Sequence, residues 1–210
     1  MSGRYREIMF TPPVLEAQRQ AYGRAVTVPP QPVTDALGDD EIDFIGERDS
    51  FYMATVSPTG WPYLQHRGGE PGFLRVLGPN RLGFADYPGN RQLISTGHVG
   101  ANDRVSLFLM DYPRRIRLKI IGHATVQDAR TNPNLLASLA GAADRTRAER
   151  LFVIDVVSFD WNCPKYITPR YTAAEIKTSV AGLHARIRDL EAQLAARPPI
   201  SPNQKQPNQE

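Results

Sequence analysis

The chain has 210 residues, 41% of them hydrophobic, and 25 basic against 22 acidic side chains give a net charge of +3. That length buries one sizeable core and leaves little for a second, and because the charges are interspersed, without a long Lys/Arg run, the basicity is no footprint for nucleic acid. Cys163 is the only cysteine, so no intrachain disulfide forms, no stretch is apolar for the roughly 18 residues that a membrane helix needs, and Met1 to Arg6 lacks a signal peptide's apolar segment; a cytoplasmic protein with neither membrane nor nucleic acid as partner is expected.

Residues 1–40 read as a helical arm. Pro13 to Arg24 is amphipathic behind Thr11 as a possible N-cap, and the proline-rich connector Val28-Pro29-Pro30-Gln31-Pro32 follows. Residues 41–171 carry the main domain. A short helix from about Asp39 to Glu47 leads into a strand, Phe51 to Val56, and Ser57-Pro58-Thr59-Gly60 has the residues of a type I turn into a second strand, Tyr63 to Gly69. Strands follow at Phe73–Leu77 and Leu82–Asp86, joined through Gly78-Pro79-Asn80-Arg81, then at Val105–Asp111, Ile116–Val126 and Leu151–Phe159. A short helical segment near Asn90 to Thr96 and a helix from Asn132-Pro133 to about Arg150 interrupt them. About seven short strands with few helices predict a mainly β fold with accessory helices, closed or partly closed into a barrel.

Residues 172–197 form the clearest helix, opened by the capping box Thr172-Ala173-Ala174-Glu175. Its apolar residues follow a heptad, with Val180, Ile187 and Leu194 at a and Ile176, Leu183 and Leu190 at d, a choice that in parallel coiled coils favours two strands. A stripe of this kind fits a partner helix or the chain's own barrel equally well. Residues 198–210, rich in proline and glutamine, have the composition of a disordered tail.

The chemistry concentrates between Gly60 and Gln92. Gln65, His66 and Arg67 put three consecutive hydrogen-bonding side chains on a strand, and Gly68 and Gly69 leave backbone bare beside them, which admits a flat ligand. Asn90 stands at the expected N-cap of the following helix with Arg91 in its first turn, so amides, helix dipole and guanidinium together suit a phosphate. A phosphorylated, planar cofactor is the expectation.

Gly60-Trp61-Pro62 opening one strand, Phe84 to Arg91 ending another, and the basic strand Arg114 to Gly122 together resemble the flavin mononucleotide-binding split barrels related to pyridoxamine 5'-phosphate oxidase, over roughly Ile42 to Val126 and more weakly to Arg170. The resemblance implies a split β-barrel of Greek-key type with an added C-terminal helix, flavin mononucleotide (FMN) as cofactor, and a homodimer with the flavin at the subunit boundary. It implies that Gln65, His66, Arg67 and Gly68 line the ring, that Ala85, Asp86, Asn90, Arg91 and Gln92 lie at the strand end that grips the phosphate, and that Arg117 and Lys119 reach a flavin held across the interface. Asn162 and Tyr166 fall in a segment similar to the closing strand of this group and are candidates for the cofactor edge or the substrate pocket. The family's usual pair at the phosphate is Arg-Lys; Asn90 departs from it, and Gln92 offers a compensating hydrogen bond.

Bland readings stand beside these. His66 serves equally as a structural histidine, Cys163 as a small buried hydrophobe without a paired base, and the cluster Arg114, Arg115, Arg117 and Lys119 as a solvated strand face. No metal-ligand spacing accompanies the four histidines, and Gly-x-Gly-x-x-Gly, Walker and Gly-x-Ser-x-Gly motifs are absent. The leading expectation is an FMN-dependent oxidoreductase acting on a small molecule, with no catalytic side chain assigned. A flavin carrier or sensor, or the same barrel holding deazaflavin or haem, are the alternatives.

Overall fold

Among the described residues of this computed structural model, namely 3–30, 34–161 and 164–196, seven strands build one antiparallel sheet. They are β1 (Ser50–Val56), β2 (Pro62–Gly68), β3 (Arg75–Gly78), β4 (Arg81–Asp86), β5 (Arg104–Asp111), β6 (Ile116–Asp128) and β7 (Arg150–Trp161), in the order β2-β1-β5-β6-β7-β4-β3. The helices are α1 (Gly3–Met9), α2 (Pro12–Tyr22), α3 (Asp39–Gly46), α4 (Ile94–Ala101), α5 (Pro133–Leu139) and α6 (Ala173–Ala195). The chain divides into two compact units, Met1–Thr168 and Pro169–Glu210.

Period-two alternation sets the core. On β1 it turns Phe51, Met53 and Thr55 inward, and on β5 Val105, Leu107, Leu109 and Asp111. Strand β4 and the first half of β7 are buried on both faces: Leu82 and Phe84 join the main core, while Ala85 and Leu151 pack with Leu139 and Ala140 at the end of α5. The two halves of the sheet meet through side chains next to its ends. Phe51 of β1 stacks on Phe73 at 5.5 Å and meets Phe84 of β4 edge-on at 5.4 Å, and Phe84 stacks on Phe152 at 4.9 Å. Strands β2 and β4 do not pair with one another, so the barrel is split along that line.

The strand readings hold to within two residues, and the turn at Ser57 closes with Gly60 N donating to Ser57 O at 2.9 Å. Four expectations need correction or extension. The helix expected from Asn132 to Arg150 is only α5 and a short 3₁₀ turn at Arg145–Arg147. It stops because Ala140 is extended and the Arg145 side chain caps the carbonyls of Ala140 and Ala137, both at 3.2 Å. The third strand begins at Arg75 and not Phe73, because Phe73 is turned onto Phe51. Helix α4 begins at Ile94, beyond Asn90. Helix α1 went unforeseen; its Tyr5 is buried, and Lys119 Nζ lies 5.1 Å from the ring centre.

Two glycines answer to close packing. A Cβ on Gly69 would lie 2.7 Å from the Phe73 ring, and one on Gly122, at the irregularity where β6 shifts register against β7, would run into the Asp155 carbonyl. In the second unit, α6 has the expected capping box: Thr172 Oγ1 accepts from Glu175 N at 3.2 Å, and Thr172 N donates to Glu175 Oε2 at 2.7 Å. No helix among the described residues is long and apolar enough to cross a membrane. The 198–210 tail and Cys163 lie outside the described residues.

Candidate functional site

Strand β2 sits at one edge of the sheet, and its alternation sends Tyr63, Gln65 and Arg67 to one face and Leu64, His66 and Gly68 to the other. Gln65 and Arg67 pair in register with Met53 and Phe51, whose side chains are wholly buried, so they share the core-facing side. A cavity of about 330 Å³ opens there. Its other walls are Asp86 and Tyr87 at the end of β4, the loop Gly89–Leu93, the first turn of α4, and Glu149 and Arg150 at the start of β7.

A carboxylate clamped by two guanidiniums organises the polar wall. Asp86 Oδ1 accepts from Arg67 Nη1 at 2.5 Å and Oδ2 from Arg150 Nε at 2.8 Å, with Arg150 Nη1 also 2.9 Å from Glu149. Asp86 is 8% exposed, and the Arg67 and Arg150 side chains are 14% and 19% exposed. The Arg67 guanidinium lies over Phe84 and Phe152, at 5.5 and 5.2 Å, and its Nε is buried without a hydrogen-bond partner. Gln65 Oε1 accepts from Ser95 Oγ at 2.9 Å, which ties β2 to α4 and leaves the Gln65 amide N–H groups as donors. Burial and the nearby Asp144 push the Tyr87 phenol up, with Arg147 opposing, so this hydroxyl stays protonated at neutral pH.

The loop before α4 is shaped by backbone conformation. Arg91 and Leu93 adopt φ of 60° and 53°, in the left-handed region, and Asn90 Oδ1 accepts from Gln92 N at 3.2 Å. This side-chain turn competes with helix at Asn90. Leu93 is therefore the N-cap, without a side-chain cap, so the N–H groups of Ile94, Ser95 and Thr96 have no intrahelical acceptor. Arg91 is exposed and makes no ion pair among the described residues.

Gln65, Arg67, Asp86, Asn90, Arg91 and Gln92 thus border one cavity. The other expected residues do not. His66 and Gly68 lie on the opposite face of β2, where His66 meets Tyr52 edge-on at 5.5 Å; the bare backbone assigned to Gly68 as a ligand surface faces away from the cavity. Ala85 alternates with Asp86 and packs against Leu151 and Leu139. Arg117 and Lys119 lie on the outer face of β6, Arg117 over Phe108 at 5.4 Å and Lys119 in an ion pair with buried Asp160 at 3.0 Å. Tyr166 is 92% exposed in a left-handed turn, and Asn162 lies outside the described residues.

Sequence reasoning missed Tyr63, Tyr87, Ser95, Thr96, Glu149 and Arg150. Tyr63 was reachable, since period two from Gln65 lands on it. Arg150 was not: only the register that pairs it with Asp86 across β4 and β7 brings it there. Among the described residues no group of three or more His, Cys, Asp or Glu side chains is placed to hold a metal.

No curated protein sequence matches the chain significantly. Among solved structures, HupZ of Group A Streptococcus is 13% identical, covers 64% of this chain and 99% of its own, and superposes with a TM-score of 0.46. General stress protein 26 of Bacillus anthracis is 14% identical over 58% of this chain and 91% of its own, with a TM-score of 0.41. An FMN-binding protein from Syntrophomonas wolfei is 7% identical over 58% and 86%, with a TM-score of 0.43. The sequence profile of pyridoxamine 5'-phosphate oxidase matches residues 37–157, which span β1 to most of β7 and every wall of the cavity, and by that match the chain belongs to the pyridoxamine 5'-phosphate oxidase family.

Proposed function

We propose that this chain is an FMN-binding oxidoreductase acting on a small molecule, with the cavity between β2 and α4 as its cofactor site. One observation carries the reading: an unpaired Arg91 stands beside three uncapped amides at the start of α4, on a cavity whose far wall holds a buried guanidinium with a free N–H. That donor set fits a phosphate at one end and an oxygen-rich ring edge at the other. Bound FMN supplies the electron or hydride transfer. The chain's own residues then divide the work of holding it. Arg91, Gln92 and the α4 amides receive the phosphate, Arg67 and Gln65 donate to the opposite end, Asp86 fixes Arg67 and Arg150 in place, and Tyr63 and Tyr87 limit water at the mouth.

The working form is a homodimer on this reading, supported by Arg117 and Lys119 lying on an outer sheet face with His66, Tyr52 and Phe108, away from their own chain's cavity, where a second chain would bring them to a ligand. The test is the absorption spectrum of freshly purified protein with mass analysis of the released ligand. A flavin spectrum, FMN as the released mass, and turnover with a reduced nicotinamide and an acceptor are expected. A deazaflavin or haem spectrum overturns the cofactor, and flavin binding without turnover under any donor overturns the enzyme in favour of a carrier. Light scattering that stays at the 23.4 kDa of one chain in the flavin-loaded state overturns the dimer.

A further inference from the structure

Helix α6 carries an apolar stripe that its own unit leaves uncovered. Ile176, Leu183, Ile187, Leu190 and Leu194 are 41% to 64% exposed along 23 helical residues, a run about 34 Å long. They fall on a heptad with Val180, Ile187 and Leu194 at a and Ile176, Leu183 and Leu190 at d; at the centre of the seam, Val180 to Leu190, the a residues are β-branched and the d residues leucine, the combination that favours two parallel strands. A stripe of this length in water requires a partner.

We infer that α6 is a dimerisation helix that pairs in parallel and in register with α6 of a second copy of this chain. The flanking charges choose both the occupant and the direction. On this heptad Arg186 takes a g position and Glu191 the following e position, so a parallel, in-register pair sets Arg186 against Glu191 of the partner subunit, twice by symmetry. Glu191 has no ion pair in its own chain among the described residues, while Arg186 holds Asp189 one turn on. An antiparallel pair instead sets Arg186 against Arg186 of the partner subunit and His184 against His184 of the partner subunit, like groups facing at the centre of the seam. The a and d positions carry no polar residue to impose another register.

The inference is independent of the cofactor and is tested by disulfide trapping in the full chain. With Cys163→Ser as background, Leu190→Cys places identical residues in contact only in the parallel, in-register pair, because the antiparallel pair sets position 190 against position 180. Ala185→Cys, on the outer f position, is the control. Under mild oxidation Leu190→Cys is expected to cross-link at least tenfold more than Ala185→Cys. Arg186→Glu should lower the Leu190→Cys yield about fivefold, and Arg186→Glu with Glu191→Arg should restore it. Cross-linking of Leu190→Cys no greater than that of Ala185→Cys overturns the pairing. Preferential cross-linking of a mixture of Leu190→Cys and Val180→Cys overturns its direction.

Discussion

The carboxylate of Asp86 offers the sharpest test of how the cavity wall is built. Replacing it with alanine leaves Arg67 buried with no anion beside it and Arg150 with only the more exposed Glu149. Removing one partner of a buried ion pair costs 3–5 kcal/mol, and the open cavity lets water reach the guanidiniums, so about 3 kcal/mol is expected. At roughly 2–4 °C per kcal/mol for a chain of this size, that is a fall in Tm of about 6–12 °C. Asp155→Ala is the matched control. It breaks the Arg81 pair at a similar 3.0 Å, but there the side chains are 55% and 57% exposed, and such pairs contribute at most about 1 kcal/mol. Thermal melts of the ligand-free protein by circular dichroism give both numbers. Added sulfate should restore part of the Asp86→Ala loss and none of the Asp155→Ala loss, since only the first leaves a buried cation, Arg67, without a counter-charge. Equal falls in Tm for the two variants would refute the view that burial of the Arg67-Asp86-Arg150 cluster, and not its mere presence, holds this wall.

Arg91→Ala should weaken FMN binding ten- to a hundredfold and leave riboflavin almost unchanged, because a charge-assisted hydrogen bond to phosphate contributes about 1.5–3 kcal/mol; titration with both ligands checks this, and equal losses sink the phosphate assignment. Gly122→Ala should destabilise by about 1–3 kcal/mol in chemical denaturation, as the added Cβ forces β6 away from the Asp155 carbonyl. Burial pushes the Asp111 carboxyl up, but hydrogen bonds from the Arg114 N–H at 2.8 Å and Nε at 2.6 Å, with Arg48 at 2.9 Å, outweigh it and hold the group below its ordinary 3.8. Its stabilisation is therefore complete above the unfolded value and lost as pH falls through the lowered one; Arg114→Ala should move acid unfolding to higher pH, and an unchanged acid midpoint in a pH titration of the far-UV signal counts against it.

The strands were legible because each is a short alternating run bounded by turn residues, and α6 because Thr172 and Glu175 announce its start. At β2 the pleat divides the three consecutive polar residues: with Gln65 and Arg67 facing the cavity, His66 takes the other face, a separation that period two alone encodes. The start of α4 was hidden for a different reason. Asn90 is a good N-cap in isolation, but it closes a turn onto Gln92 N, and the left-handed Arg91 and Leu93 postpone the helix. Arg150 and Glu149 reach the cavity only through the β4–β7 register, a pairing 64 residues apart for Asp86 and Arg150 that no local pattern encodes. Likewise α5 ends where it does because Arg145 turns back onto its carbonyls.

A ring of strands fastened at one place by side chains and elsewhere by backbone ladders breathes at the fastener first, since local opening follows the weakest join. In this barrel the Arg67 to Asp86 contact between β2 and β4 is the polar part of that fastener, beside the Phe51 ring contacts, and it lies on the cavity wall. A ligand lodged there bridges both lips of the split and opposes their separation directly. At a hundred times its Kd it adds about 2.7 kcal/mol to every opening that expels it, which slows amide hydrogen exchange there by about a hundredfold. That protection should appear on the β2 amides that bond to β1 and on the first turns of α4, and leave exchange by local fraying at the β5–β6 turn as it was, so that the exchange map of the bound protein traces the line along which the barrel comes apart.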